Sequence, residues 1–100
     1  MTLLLAGTVR FEADRLPAAR ARMQQMVLLS RAEDGCIAYA YSEDVAEPGL
    51  VHVFEVWRDQ AAFDAHHATP HFLEWRASRE ALGMSGRDMT AYEVASSRKV

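Results

Sequence analysis

One hundred residues, half of them apolar and a quarter charged, make one globular domain over residues 1–100 and exclude a second domain or a repeat array. The net charge is −3 and the eleven Lys and Arg residues are scattered, so no basic footprint for nucleic acid or an anionic membrane surface is expected. No apolar run approaches the roughly 20 residues of a membrane helix, Leu3-Leu4-Leu5-Ala6 is too short for a signal-peptide core, and the lone Cys36 forms no intrachain disulfide and fits a reducing, cytoplasmic setting.

Residues 3–11 lack helical spacing and hold the β-branched pair Thr8 and Val9, which predicts a strand. Asp14 is the expected N-cap of a helix that carries Pro17 in its first turn. Leu16, Ala19, Met23, Met26, Val27 and Ser30 recur along it at three to four residues as one amphipathic face. Gly35 is the expected residue beyond its C-cap. A second strand, 36–44, sets Ile37, Tyr39 and Tyr41 on one face. Glu47-Pro48-Gly49 signals a turn, so the second and third strands form a hairpin. The third strand, 50–58, shows Val51, Val53, Glu55 and Trp57 on one face and Leu50, His52, Phe54 and Val56 on the other. Both faces are apolar enough to be buried. Asp59 caps a short helix through Ala62, Phe63 and His66. Thr69 and Pro70 start a longer one that carries Phe72, Leu73, Trp75, Ala77 and Leu82 and ends at Gly83 and Gly86. Residues 88–96, with Met89, Tyr92 and Val94, form the last strand.

The order β-α-β-β-α-β predicts an α+β fold of the ferredoxin-like type, a four-stranded antiparallel sheet with helices on one face. The second apolar face of the third strand then needs a second subunit, and a homodimer is expected.

Among the four histidines, His67 and His71 stand i, i+4. Pro70 lies between them, and no Cys or acidic ligand completes a set, so no metal is expected. Tyr39, Trp57, Phe63, Phe72 and Trp75 read either as ordinary core or as the walls of a flat aromatic pocket between sheet and helices. Phe63 and His66 sit one turn apart just after Trp57, and an imidazole beside aromatic walls suits a phenolic or quinone-like ligand. His66 is the acid–base candidate, because an imidazole takes up a proton near neutral pH. The plainer reading is a surface histidine on an exposed short helix. Glu55 shares a face with Trp57 and needs a partner, a histidine or an arginine. Cys36 reads as a small apolar residue rather than a nucleophile.

Ser30-Arg31-Ala32-Glu33-Asp34-Gly35-Cys36-Ile37-Ala38-Tyr39 resembles the helix-to-strand junction of the antibiotic biosynthesis monooxygenase (ABM) domain. Phe54-Glu55-Val56-Trp57, followed by a helix carrying His66 and by Thr69-Pro70-His71-Phe72, resembles its second signature. The resemblance runs from Val9 to about Val94 and implies a dimeric α+β barrel with one pocket per subunit. Trp57, Phe63, His66 and Phe72 would line that pocket, and Tyr39 would join from the second strand. It further implies oxidation by dioxygen without metal, flavin or other cofactor. The chain contains no Asn, on which the polyketide-tailoring branch relies. The haem-degrading branch is disfavoured by Gly7 and Thr8 on the first strand, by His66 where that branch has Trp, and by Arg76 near its His position.

The expectation is a cofactor-independent monooxygenase that oxidises a small hydroxylated aromatic or quinol, with His66 as base and Tyr39, Trp57, Phe63, His71 and Phe72 around the substrate. Two alternatives stand beside it. One is a non-catalytic dimer that binds a small aromatic ligand. The other is an isomerase of a small phosphorylated ketone, for which Arg76, Arg79 and Arg87 show no convergence in the sequence.

Overall fold

In the computed structural model, which describes residues 1–100, strands β1 (Thr2–Phe11), β2 (Cys36–Glu43), β3 (Leu50–Trp57) and β4 (Met84–Val94) form one antiparallel sheet in the order β2-β3-β1-β4. A 3₁₀ turn, Ala13–Arg15, and helix α1 (Leu16–Arg31) link β1 to β2. Helices α2 (Gln60–His66) and α3 (Pro70–Ser78) link β3 to β4. Each link passes over one intervening strand, which is the ferredoxin-like α+β arrangement that the element order predicts. No helix is long and apolar enough to cross a membrane.

The core lies between α1 and one face of the sheet. Leu16, Ala19, Met23 and Met26 of the predicted helical face are buried against Leu3, Leu5, Val9, Tyr39, Val51, Val53 and Trp57. Each large side chain buried there contributes on the order of 1.5–3 kcal/mol. On β3 the buried row is Val51, Val53, Glu55 and Trp57, while His52 and Phe54 are exposed. The outer face therefore stays open within one chain. Register aligns Ala40, Phe54 and Ala6 across it, and Ala38, Val56, Leu4 and Tyr92 beside them.

Several local expectations differ from the structure, among them the ends of α3, which stops at Ser78 before Leu82, and of the last strand, which runs from Met84 to Val94. Asp14 does not cap α1. It sits exposed within the 3₁₀ turn, whose Arg15 N–H donates to the Glu12 carbonyl at 2.8 Å, and α1 starts with no side-chain cap. Ile37 does not share the face of Tyr39 and Tyr41. The pairing with β3 slips between Cys36 and Ala38, a bulge that turns Cys36 toward the core and leaves Ile37 62 % exposed. Gly86 does not end a helix but pairs with Arg10 inside β4, which begins at Met84 immediately after the turn at Gly83. The other two caps form as expected. The Asp59 carboxylate accepts from the Ala62 N–H at 2.8 Å, and the Thr69 hydroxyl accepts from the Phe72 N–H at 3.2 Å.

Candidate functional site

The connection from α1 to β2 carries the residue that organises the site. Gly35 follows the helix with a φ of +85°, a conformation that glycine adopts without strain, and a Cβ there would stand 2.6 Å from the Cβ of Ala62. Its carbonyl accepts from the Arg58 N–H at 2.8 Å. The connection thus lies directly against the start of α2 and brings Glu33 beside His66 at the end of that helix.

The helix break does the rest. Residues five apart on one continuous helix point in different directions. Here the chain turns after His66, whose carbonyl accepts from both the N–H and the hydroxyl of Thr69 at 3.2 and 2.7 Å, and α3 restarts at Pro70. His71 thereby returns to the same carboxylate. One oxygen, Glu33 Oε2, stands 2.6 Å from His66 Nδ1 and 2.7 Å from His71 Nε2. An ionised carboxylate only accepts, so both ring nitrogens donate to it. With its proton on Nδ1, His66 keeps the lone pair on Nε2, directed away from Glu33.

His66 is 1 % exposed, and burial pulls its pKa below the ordinary imidazole value while Glu33 pulls it back up. The ring is therefore neutral at neutral pH. It packs against Trp57, Phe72 and Tyr39 at centroid distances of 4.7, 5.0 and 5.5 Å. Trp57 is fully buried, and its indole N–H donates to Glu55 Oε1 at 2.9 Å. The partner of Glu55 is thus an indole, not a histidine or arginine side chain. Burial raises the Glu55 pKa, opposed by that hydrogen bond and by the charge of Arg87. The hydroxyls of Tyr39 and Tyr41 lie 2.9 Å apart. Burial pushes Tyr39 well above the phenol range and Tyr41 to about 12, so both stay protonated.

A cavity of about 30 Å³ opens between sheet and helices, lined by Tyr39, Tyr41, Glu55, Phe72, Trp75, Arg79 and Arg87, with Met84 and Met89 among its apolar walls. Tyr39 and Phe72 of the predicted site line it directly. Trp57 and His66 form the layer packed behind those two rings. Phe63 packs on Trp57 from the helix side, and His71 is half-buried between Glu33 and a shallow surface hollow shared with Arg22, Glu74 and Trp75. His67 does not join His71; its Nδ1 lies 2.9 Å from the Phe63 carbonyl. A larger hollow of about 320 Å³ along α1 and β2 reaches the core at Met23 and Val51, with Val27 and Tyr41 packed beside them.

Several of these positions escape a reading of the sequence. The acidic partner judged missing from the histidine set is Glu33, 33 residues before His66, and only its place in the junction motif singles it out. Arg79 and Arg87, scattered in the sequence, converge on the cavity from the end of α3 and from β4, while Arg76 lies outside, 5.7 Å over the Phe72 ring.

The fold agrees with comparisons to known proteins. The model of the family described as antibiotic biosynthesis monooxygenase matches residues 2–78, and the chain belongs to that family. Among its relatives, "Putative monooxygenase Rv0793" of Mycobacterium tuberculosis is 39 % identical over 79 residues, 77 % of each protein. An uncharacterized Synechocystis protein, sll1783, is 33 % identical over 93 residues, and this chain spans 63 % of its length. The solved structure of Rv0793 superposes with a TM-score of 0.87 at 28 % identity, covering 99 % of this chain and all of that one. A Deinococcus radiodurans structure described as "a putative antibiotic biosynthesis monooxygenase" superposes with a TM-score of 0.89 at 26 % identity, covering 100 % of this chain and 98 % of that one.

Proposed function

We propose that the protein is a monooxygenase that oxidises a small hydroxylated aromatic or quinol with dioxygen, without a metal or flavin. The observation that carries this reading is the buried, neutral His66, held by Glu33 at Nδ1 and packed behind the aromatic wall of the cavity. The substrate ring lies against Tyr39 and Phe72, backed by Trp57 and Phe63, with His71 completing the support of Glu33. His66 lies behind the Tyr39 and Phe72 rings, so one of these must swing aside with substrate entry for His66 Nε2 to reach and remove the hydroxyl proton; Arg79 and Arg87 favour the resulting anion. The anion passes one electron to dioxygen. The radical pair recombines as a C–O bond, and the His66 imidazolium returns its proton to the peroxide anion. The O–O bond of the hydroperoxide then breaks, and its outer hydroxyl leaves as water with the hydrogen on the oxygen-bearing carbon to give a quinone-level product. Apolar walls exclude water from the pair.

A cavity of about 30 Å³ holds little more than a water molecule. Substrate entry therefore requires the long side chains of Arg79, Arg87, Met84 and Met89 to swing outward. A second copy of the chain covers the open sheet face at Ala6, Ala40, Phe54 and Val56, and the domain works in the reducing cytoplasm.

Oxygen uptake with a panel of quinols and phenols, in the presence of a chelator and without flavin, tests the reading; no consumption with any of them counts against it. The pair Arg79 and Arg87 favours a second reading, isomerisation of a small phosphorylated ketone, which predicts conversion with no oxygen consumed. Saturable binding of an aromatic with no turnover marks the protein as a non-catalytic binder.

A further inference from the structure

We propose that Glu33, His66 and His71 form a binding site for one borderline divalent cation of the Zn²⁺ class. Two imidazole nitrogens and one carboxylate oxygen, all within 4.8 Å of one another, are a donor set suited to Zn²⁺, Co²⁺ or Fe²⁺. The set is drawn from three separate pieces of structure: the α1–β2 connection, the end of α2 and the first turn of α3.

The geometry accommodates an ion. Both nitrogens already aim at Glu33 Oε2, at 2.6 and 2.7 Å. A tetrahedral ion with bonds of about 2.0–2.2 Å needs its donors roughly 3.3–3.5 Å apart. Each nitrogen-to-oxygen separation must widen by several tenths of an ångström, which rotation about the Glu33 side-chain torsions supplies. The fourth position falls to water. An entry path exists on the His71 side, where that ring is 18 % exposed beside the surface hollow. The rings of Trp57 and Phe72 pack on His66 and fix its plane.

Occupancy has a chemical consequence for the oxidation, and this part rests on the function proposed above. An ion on His66 Nδ1 takes the lone pair that the neutral ring otherwise places on Nε2, and the ring proton moves to Nε2. That nitrogen then has no lone pair with which to accept a substrate proton. Filling the site switches the base off.

Equilibrium dialysis of the purified full chain against Zn²⁺, with Co²⁺ absorption as a second readout, tests the site. One Zn²⁺ per chain is expected, with visible Co²⁺ bands of nitrogen and oxygen coordination. His71→Ala should weaken binding at least about tenfold, whereas His52→Ala, which alters the surface pair of His52 with Asp44, should leave it unchanged. Circular dichroism verifies that the variant is folded, and if His71→Ala does not fold, Glu33→Gln takes its place. Absence of saturable binding up to about millimolar Zn²⁺, or equal binding by the folded variant, overturns the site. Oxygen uptake that persists undiminished at saturating Zn²⁺ overturns the switch and leaves the dialysis result standing.

Discussion

Truncating Glu33 to Ala removes the acceptor that two histidines share. The His66 Nδ1–H is then left without a partner in a site where the ring is 1 % exposed, which costs about 1–3 kcal/mol. His71, with 18 % of its side chain exposed, regains water and adds at most about 1 kcal/mol. The sum, about 1–4 kcal/mol, corresponds to a fall in Tm of roughly 4–30 °C for a domain of this size. Glu33→Gln behaves differently. Its amide oxygen can still accept from both rings, so thermal stability should change by only about 1 kcal/mol. The imidazolium formed when His66 takes up a proton loses its charged partner, however, and turnover should fall roughly 10–100-fold, because hydrogen bonds to charged groups are worth about 1.5–3 kcal/mol. Removing the carboxylate also removes the influence that holds the His66 pKa up, so the acid limb of the rate profile should move to lower pH. Thermal circular dichroism and oxygen uptake on both variants, in chelated protein, measure the two effects separately. A Glu33→Ala variant within about 0.5 kcal/mol of the parent would refute the reasoning, because it would mean that water already satisfies the rings.

Further outcomes follow from the same geometry. In chelated protein the rate should rise with pH along a limb lying below 6.5 and be flat at neutrality, since burial lowers the His66 pKa; a limb centred above 6.5 contradicts the burial. The same depressed value makes His66 stabilise the fold fully above its unfolded pKa of about 6.5, with the contribution lost as pH falls through the lower folded value. Thermal melts of the parent between pH 5 and 7 should therefore fall more steeply toward acid than those of His66→Gln. Trp57→Ala opens a cavity at a fully buried position and strips Glu55 of its donor, so it should cost about 3–5 kcal/mol or more, whereas Trp57→Phe loses chiefly the hydrogen bond, about 1–3 kcal/mol; urea unfolding separates the two. Sedimentation at micromolar concentration should give about twice the 11.2 kDa chain mass, and Phe54→Asp on the open face should yield a folded monomer.

The sheet and helices are legible because apolar periodicity and cap chemistry act locally. Asp59 and Thr69-Pro70 mark the helix starts at 60 and 70, and the alternation from Val51 to Trp57 marks the buried face of β3. Asp14 misleads because a 3₁₀ turn from Ala13 to Arg15 precedes the proline-bearing helix, so Asp14 lies inside that turn and Arg15, not Asp14, stands at the N-cap of α1. Ile37 misleads because a bulge shifts the two-residue period by one, and no spacing in the strand announces it. The site is half legible. Tyr39, Phe72, His66 and Trp57 stand out by residue type within the resembled motifs, and they meet. Glu33, Arg79 and Arg87 reach the site through tertiary packing across long separations, which periodicity does not encode. The convergence of His66 and His71 depends on a helix break whose angle only the folded chain sets.

Steady-state oxygen uptake by His66→Ala and by the parent, both shown to be folded and both free of metal, bears most directly on the proposed base. With a quinol that the parent consumes, removal of the imidazole should lower turnover about 10²–10⁴-fold, the usual contribution of a general base. A folded His66→Ala variant that consumes oxygen at the parental rate would contradict the assignment and move the proton to another group, with His71 the next to substitute.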